Sequence, residues 1–264
     1  DTSLYLYEVK KQIMSGYGNT KSYLIPSIVI RSVMDIYNKR DYELVIDICD
    51  KVLKDSHNYY SDITRELTYW LCLALCRTQK EERFYEEVKA LDGADYWFLK
   101  GFFQRIATKY NSAENFLKKA LEISPSMQRA KRELVTALLA QHRYPEALSL
   151  AKENYERDSD NTYHMHAYFR CLVKKVNINR EDIATLKELL DKMENSYSDK
   201  KEELHMAMNT EFQANIKRKS PDEMLDLIRN AEKNFPSSVN IQRAAHEYKL
   251  KQAIVSKEVV FPED

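Results

Sequence analysis

The apolar residues between Asn111 and Pro125 recur with the period of an α-helix. In the segment NSAENFLKKALEISP they occupy positions i, i+3, i+4, i+7 and i+8, namely Ala113, Phe116, Leu117, Ala120 and Leu121. Polar residues fill most of the positions between them, so the pattern predicts an amphipathic helix of about four turns. Such a helix is marginal by itself in water, because packing supplies most of a helix's stability. We therefore expect it to pack on neighbouring helices.

The helical pattern repeats along the chain at intervals of 34 residues. Tyr110 and Ala113 have partners at Tyr144 and Ala147. The preceding helices align at the same interval, and one column contains only small or apolar residues: Val33, Leu67, Gly101, Val135 and Phe169. A second column has one polar exception: Ile36, Trp70, Gln104, Leu138 and Leu172. Several columns at one interval indicate an internal repeat.

These columns resemble the tetratricopeptide repeat family, whose unit is an antiparallel pair of helices. The resemblance is best in residues 94–127, where seven positions match the family's signature: Trp97, Gly101, Tyr110, Ala113, Leu117, Ala120 and Pro125. Lys100 and Gln104 depart from it, because larger apolar residues are usual there. The resemblance implies an all-α fold, a right-handed superhelical solenoid of antiparallel helix pairs.

We expect the repeat array to cover residues 26–238, with units that start near residues 26, 60, 94, 128, 162 and 205. Pro145 and Pro221 lie where second helices begin, and Ser220 is the expected N-cap before Pro221. Residues 1–25 are expected to form an N-terminal helix and either a linker or a cap. Residues 239–264 are expected to form a capping helix and a tail. Because the chain begins with Asp1 rather than Met, we expect it to be part of a longer or processed protein.

Composition and charge narrow the classes of function. Only four glycines and six prolines occur, as expected of an all-helical protein. The 41 basic residues balance the 41 acidic ones, so the net charge favours neither nucleic acid nor an anionic membrane. The longest apolar runs, LIPSIVI and YWLCLALC, are too short to cross a bilayer, and no signal peptide is evident. We expect an intracellular, cytoplasmic protein.

Catalytic and metal-binding patterns are not found in the sequence. It lacks a glycine-rich phosphate loop, G-x-S-x-G and H-E-x-x-H. His164 and His166 are two residues apart, so a helix would point them in different directions. Cys72 and Cys76 could present two thiolates to zinc, but no second pair of ligands has suitable spacing. We expect a non-enzyme without cofactor or metal, in which all four cysteines are unpaired, buried hydrophobic residues.

In the family that the chain resembles, the first helices of the units line a concave groove. The matching positions are Arg31, Tyr37, Asn38, Arg65, Thr68, Phe98, Phe102, Arg105, Arg129, Arg132, Thr136, Tyr163, His166, Arg170, Lys174, Asn209, Gln213 and Lys217. Basic residues exceed the acidic Asp95 and Glu133 on this face, which favours a partner that bears carboxylates. In the alternative interpretation, Phe98 and Phe102 belong to the core and some arginines pair with acids on neighbouring helices. The family's chaperone-tail clamp is disfavoured, because its leading positions hold other residues.

Three functions are compatible with this surface. The first is a protein-interaction scaffold that holds an extended, acidic segment of a partner protein or peptide. The second is a sensor or regulatory arm of a larger multidomain protein, such as a signalling NTPase or a defence effector, in contact with other domains of the same chain. The third is a nucleic-acid-binding helical repeat, which the neutral net charge disfavours.

Overall fold

The computed structural model of the chain describes residues 26–54, 61–198 and 200–255, and these form helices without strands. The helices are α1 Pro26–Asn38, α2 Tyr42–Lys54, α3 Ser61–Arg77, α4 Glu81–Glu87, α5 Gly93–Ile106, α6 Tyr110–Ile123, α7 Gln128–Ala140, α8 Tyr144–Arg157, α9 Thr162–Val173, α10 Arg180–Glu194, α11 Lys201–Phe212, α12 Pro221–Asn234 and α13 Val239–Val255. A 3₁₀ turn, Val88–Ala90, follows α4, and a π-helical turn, Gln213–Lys217, follows α11. The expected all-α repeat fold is confirmed. The helix expected in residues 1–25 and the expected tail from residue 256 onwards lie outside the described residues.

Helices α1 to α12 follow one another as six pairs, each with a first and a second helix, and α13 follows the last pair. The chain divides into two compact units, residues 1–137 and residues 138–264. None of the helices within the described ranges is long and apolar enough to cross a membrane.

The first unit has a core built from both helices of each pair. Helix α2 buries one apolar stripe, and α3 buries Leu67, Leu71 and Leu75. Phe84 and Phe103 stack with their ring centroids 4.6 Å apart and their planes at 8°. Burial of this apolar surface is the main source of stability in a repeat of helix pairs.

Four turns between the helices of a pair share one hydrogen-bonding pattern. Each contains a residue other than glycine with a positive φ, namely Arg40, Gln79, Thr108 and His142. In the turn after α5, the Thr108 N–H donates to the Arg105 carbonyl at 3.1 Å, and the Lys109 N–H donates to the Gln104 carbonyl at 2.8 Å. The other three turns form the equivalent pair of bonds. This is the Schellman motif, which ends a helix and reverses the chain.

Side-chain caps start three helices of the second unit. Asn161 accepts hydrogen bonds from the first turn of α9, and Asn179 forms a capping box with Asp182 at the start of α10. Ser220 forms a capping box with Glu223 at the start of α12, so the predicted cap is confirmed. Each cap satisfies backbone N–H groups that the helix leaves unpaired.

Candidate functional site

A cluster of arginines and aromatic rings lies on the first helices of the first unit. We call it the arginine–aromatic face, and it consists of Tyr37, Tyr69, Arg77, Phe98, Phe102, Arg105 and Arg129. Tyr69 stacks on Phe98 with a centroid distance of 6.4 Å, and Phe98 stacks on Phe102 at 5.9 Å. The three rings are buried, and they form a continuous series from α3 to α5.

Three guanidinium groups lie over these rings. Arg129 lies 4.7 Å from the centroid of Tyr69 and 5.8 Å from that of Phe98. Arg77 and Arg105 lie 4.9 and 5.0 Å from the centroid of Phe102. A cation over an aromatic face gains about 0.5–1 kcal/mol at exposed sites, so the rings hold the arginines in defined positions.

The arginines of this unit differ in their acidic partners. Arg105 pairs with Glu133, and both side chains are largely buried. Arg65 pairs with Asp92 and with Asp95. These findings agree with the alternative interpretation, in which arginines at groove positions pair with acids on neighbouring helices.

Arg77 and Arg129 are exposed and have no carboxylate within 4.0 Å among the described residues. The Arg77 Nε–H donates to the Tyr37 hydroxyl at 3.2 Å. Burial raises the pKa of Tyr69 above its usual value, although the charge of Arg129 opposes this shift. The Tyr69 hydroxyl is therefore protonated and provides no counter-charge for Arg129.

A second cluster lies in residues 138–264, on helices α9, α11 and α13. We call it the ionic cluster, and it consists of His166, Arg170, Lys174, Glu211, Arg243 and Glu247. His166, Arg170 and Lys174 follow one another at intervals of four residues, so they lie along one side of α9 and its continuation. Burial, followed by the charges of Arg243 and Arg170, holds the pKa of His166 well below its ordinary value.

Several residues predicted for the groove belong to the packing. Phe98, Phe102 and His166 expose only 3%, 3% and 7% of their surface, which corrects the expectation that they lie open to a partner. Thr68 and Thr136 donate to backbone carbonyls of their own helices. Asn209 accepts a hydrogen bond from Gln213 at 3.0 Å, and Arg132 is half-buried. The more accessible predicted residues, besides Arg65 and Arg129, are Arg31, Asn38, Tyr163 and Lys217.

Sequence reasoning missed Arg77, Glu211, Arg243 and Glu247. Arg77 is a single charge directly after the apolar run YWLCLALC, which could have indicated a charge held against the core. Glu211 is likewise the only Asp, Glu, Lys or Arg in residues 204–216, so the same signal was present there, whereas Glu247 lies in a segment that also contains Lys249 and Lys251. No group of three or more potential metal ligands occurs in the part of the chain that the structure describes.

The paired helices define a helical-repeat protein. Residues 105–174 match the model of the tetratricopeptide repeat family. PilF of Pseudomonas aeruginosa has a similar structure, with a TM-score of 0.52 and 13% sequence identity over 84% of this chain and 97% of that chain. YrrB, a tetratricopeptide-repeat protein with an unusual peptide-binding site, has a TM-score of 0.42 and 14% identity over 69% of this chain and 93% of its own. A search of curated proteins finds no match. The match to the tetratricopeptide repeat family thus covers residues 105–174, and the likeness to PilF is one of fold.

Proposed function

We propose that this chain is a non-catalytic scaffold that binds an extended, acidic segment of a partner protein against the arginine–aromatic face. The tetratricopeptide repeat is in general a non-catalytic module of protein-interaction scaffolds. The proposal rests on the exposure and the surroundings of Arg77 and Arg129. Both are exposed, both lie over aromatic rings, and neither has a carboxylate within 4.0 Å among the residues that the structure describes.

The chemistry of these two arginines favours a carboxylate ligand. A guanidinium group has five N–H donors, and Arg77 uses one of them on Tyr37. The remaining donors can bind the two oxygens of a carboxylate side by side. Because each guanidinium already lies on an aromatic face, less side-chain entropy is lost when a ligand binds.

The accessible groove residues Arg31 and Asn38 line a shallow depression of about 580 Å³, together with Ile30, Met34, Ile63 and the acidic Asp35 and Glu66. Its two carboxylates outnumber its one arginine, so it does not favour a carboxylate ligand. The proposed contact is therefore confined to the arginine–aromatic face.

The proposal can be tested with a fluorescein-labelled peptide of ten glutamates and a matching peptide of ten glutamines. Fluorescence anisotropy should show binding of the glutamate peptide only. The double variant Arg77→Glu/Arg129→Glu should reduce its affinity by at least about 100-fold, because two charge-assisted hydrogen bonds contribute about 1.5–3 kcal/mol each.

A matched control separates this effect from net charge. Lys89→Glu/Lys109→Glu makes the same change in charge at two exposed positions outside the arginine–aromatic face, and it should bind like the wild type. Equal loss of binding in both double variants would indicate a general charge effect. Unchanged binding by Arg77→Glu/Arg129→Glu would show that the partner docks elsewhere.

A further inference from the structure

The ionic cluster of the second unit holds more positive than negative charge. Lys174 Nζ lies 2.7 Å from a carboxylate oxygen of Glu247. Glu211 Oε1 lies 3.2 Å from Arg243 Nη2 and 4.0 Å from Arg170 Nε, so one carboxylate serves two arginines. Three cations therefore face two carboxylates. One positive charge has no counter-charge of its own within the cluster.

The inner part of this cluster is poorly solvated. The side chain of Glu211 is 4% exposed and that of Arg170 is 12% exposed. Burial, followed by the charge of Arg243, lowers the pKa of Arg170 to about 10. An unbalanced charge is costly in such surroundings, because little water is present to screen it.

Buried polar atoms in the cluster lack hydrogen-bond partners. Three nitrogens, Arg170 Nε, Arg243 Nε and His166 Nε2, and one oxygen, Glu211 Oε2, have no hydrogen-bond partner among the described residues. Buried polar atoms are normally paired, so the excess of unpaired nitrogens over unpaired oxygens in this cluster requires an explanation. The side chains of Lys174, Arg243 and Glu247 are a quarter to a third exposed, which opens one side of the cluster to solvent.

We propose that the ionic cluster is a binding site for one carboxylate group, held by Arg170, Arg243 and His166. A single negative charge balances the excess positive charge, and its two oxygens can accept hydrogen bonds from the buried nitrogens. A dianion such as phosphate would exceed this balance by one charge. The site is independent of the arginine–aromatic face, because all of its residues belong to the other compact unit.

Thermal unfolding at constant ionic strength tests the site without a known partner. Replacement of chloride by acetate should raise the unfolding temperature by about 2–4 °C once acetate reaches several times its dissociation constant. The part of the shift that Arg243→Gln abolishes should be smaller for phosphate than for acetate. Because organic anions also stabilise proteins nonspecifically, Arg243→Gln provides the reference, and it should lose the specific part of the shift. Arg229→Gln, in an exposed pair with Asp226, should keep the wild-type response.

Glu211→Gln provides a second test that does not require loss of binding. It removes the internal carboxylate, so the variant should respond to acetate more strongly than the wild type. An identical acetate shift in the wild type, Arg243→Gln and Glu211→Gln would overturn the proposal and leave a self-contained polar network. The decaglutamate peptide, added to the Arg77→Glu/Arg129→Glu variant so that the arginine–aromatic face does not contribute, identifies the source of the carboxylate. An equal shift at a much lower concentration than acetate would indicate a protein segment, and no such shift would indicate a small organic acid.

Discussion

Gly101 of α5 lies so close to Leu117 of α6 that a methyl group in place of its hydrogen would be 2.7 Å from Leu117 Cγ. The same methyl group would be 2.9 Å from Leu117 Cδ2 and 3.1 Å from the Leu117 backbone nitrogen. Separations below 3.0 Å are not tolerated between carbon atoms without movement, and Cγ is the branch point of the leucine rather than its flexible end. Gly101 therefore allows the two helices of this pair to approach closely.

Gly101→Ala should lower the free energy of unfolding by about 1–3 kcal/mol, because the added methyl group forces α5 and α6 apart. Urea denaturation measures the change. In the double variant with Leu117→Ala, the crowding atoms are gone, so the loss should be smaller than the sum of the two single losses by about 0.5–3 kcal/mol.

Gly93→Ala is the matched control for this cycle. Gly93 has a φ of +60°, and an added Cβ there would meet no atom within 4 Å. Gly93→Ala should destabilise the protein through backbone strain alone. Its loss of free energy of unfolding and that of Leu117→Ala should therefore be additive in the double variant. Additive losses for the Gly101 pair as well would show that crowding is not the cause.

Thr108→Gly should stabilise the protein. Thr108 is a β-branched residue with a φ of +60°, a conformation that favours glycine. Relief of about 1–2 kcal/mol of strain should exceed the entropy cost of glycine, about 0.5–1 kcal/mol. Urea denaturation should show a higher midpoint for Thr108→Gly and a lower one for Asn115→Gly, at an exposed position in the interior of α6 where glycine brings only its entropy cost. A lower midpoint for both would mean that the turn tolerates threonine without strain.

The interval between repeats could be predicted from the sequence, and these turns could not. The columns that contain Gly101 and Leu117 could be predicted from the apolar periodicity, because each repeat buries the same positions. The Schellman turns were missed because their usual marker, glycine, is replaced by Arg40, Gln79, Thr108 and His142. Backbone hydrogen bonds set the positive φ at these positions. Because they do not depend on the side chain, no single residue type marks these turns in the sequence.

The two departures from the family's signature are explained by local partners. Lys100 Nζ lies 4.8 Å from the ring centroid of Phe116 and 5.4 Å from that of Trp97. Gln104 Nε2 donates to the Tyr85 hydroxyl at 2.7 Å. In both cases a polar tip has an aromatic partner, so a polar residue can occupy an apolar column.

The candidate site was less predictable than the fold. The family's groove positions include Arg65, Arg105 and Arg129, but only the structure shows that Arg65 and Arg105 have internal acidic partners. Pairing depends on which helices meet, and a single sequence contains no direct information about that. Arg77 lies outside those positions and became visible only through its contacts with Phe102 and Tyr37.

The four cysteines should be unreactive in the folded protein. All four are buried, as predicted, and burial raises the pKa of Cys49 and Cys171 to about 12. At mildly alkaline pH this lowers the thiolate fraction by on the order of a thousandfold. Ellman's reagent should therefore react slowly with native protein and should detect four thiols in urea. Rapid reaction of one thiol in native protein would place it at an accessible site.

His166 should make the protein less stable as the pH falls. Its pKa in the folded state lies well below the ordinary value of 6.5, because of burial and then the charges of Arg243 and Arg170. Below about pH 6.5 the unfolded chain binds a proton that the folded chain does not. The free energy of unfolding should therefore decrease by up to about 1.4 kcal/mol per pH unit until the pH reaches the folded pKa, and the contribution should be constant above pH 6.5.

Urea denaturation between pH 7.5 and pH 5 can isolate this contribution. The two arginines beside His166 pair in turn with Glu211 and Glu247. Burial alone would raise the pKa of Glu247, but the hydrogen bond from Lys174 lowers it below its ordinary value of 4.5. The contribution of Glu247 to the free energy of unfolding is therefore lost only below about pH 4.5, outside the range from pH 7.5 to pH 5. His166→Gln should therefore show a shallower decrease than the wild type. His246→Gln, an exposed histidine on α13, should keep the wild-type slope. Equal slopes for the wild type and His166→Gln would mean that His166 accepts a proton in the folded state, and that the positive charge around it is balanced.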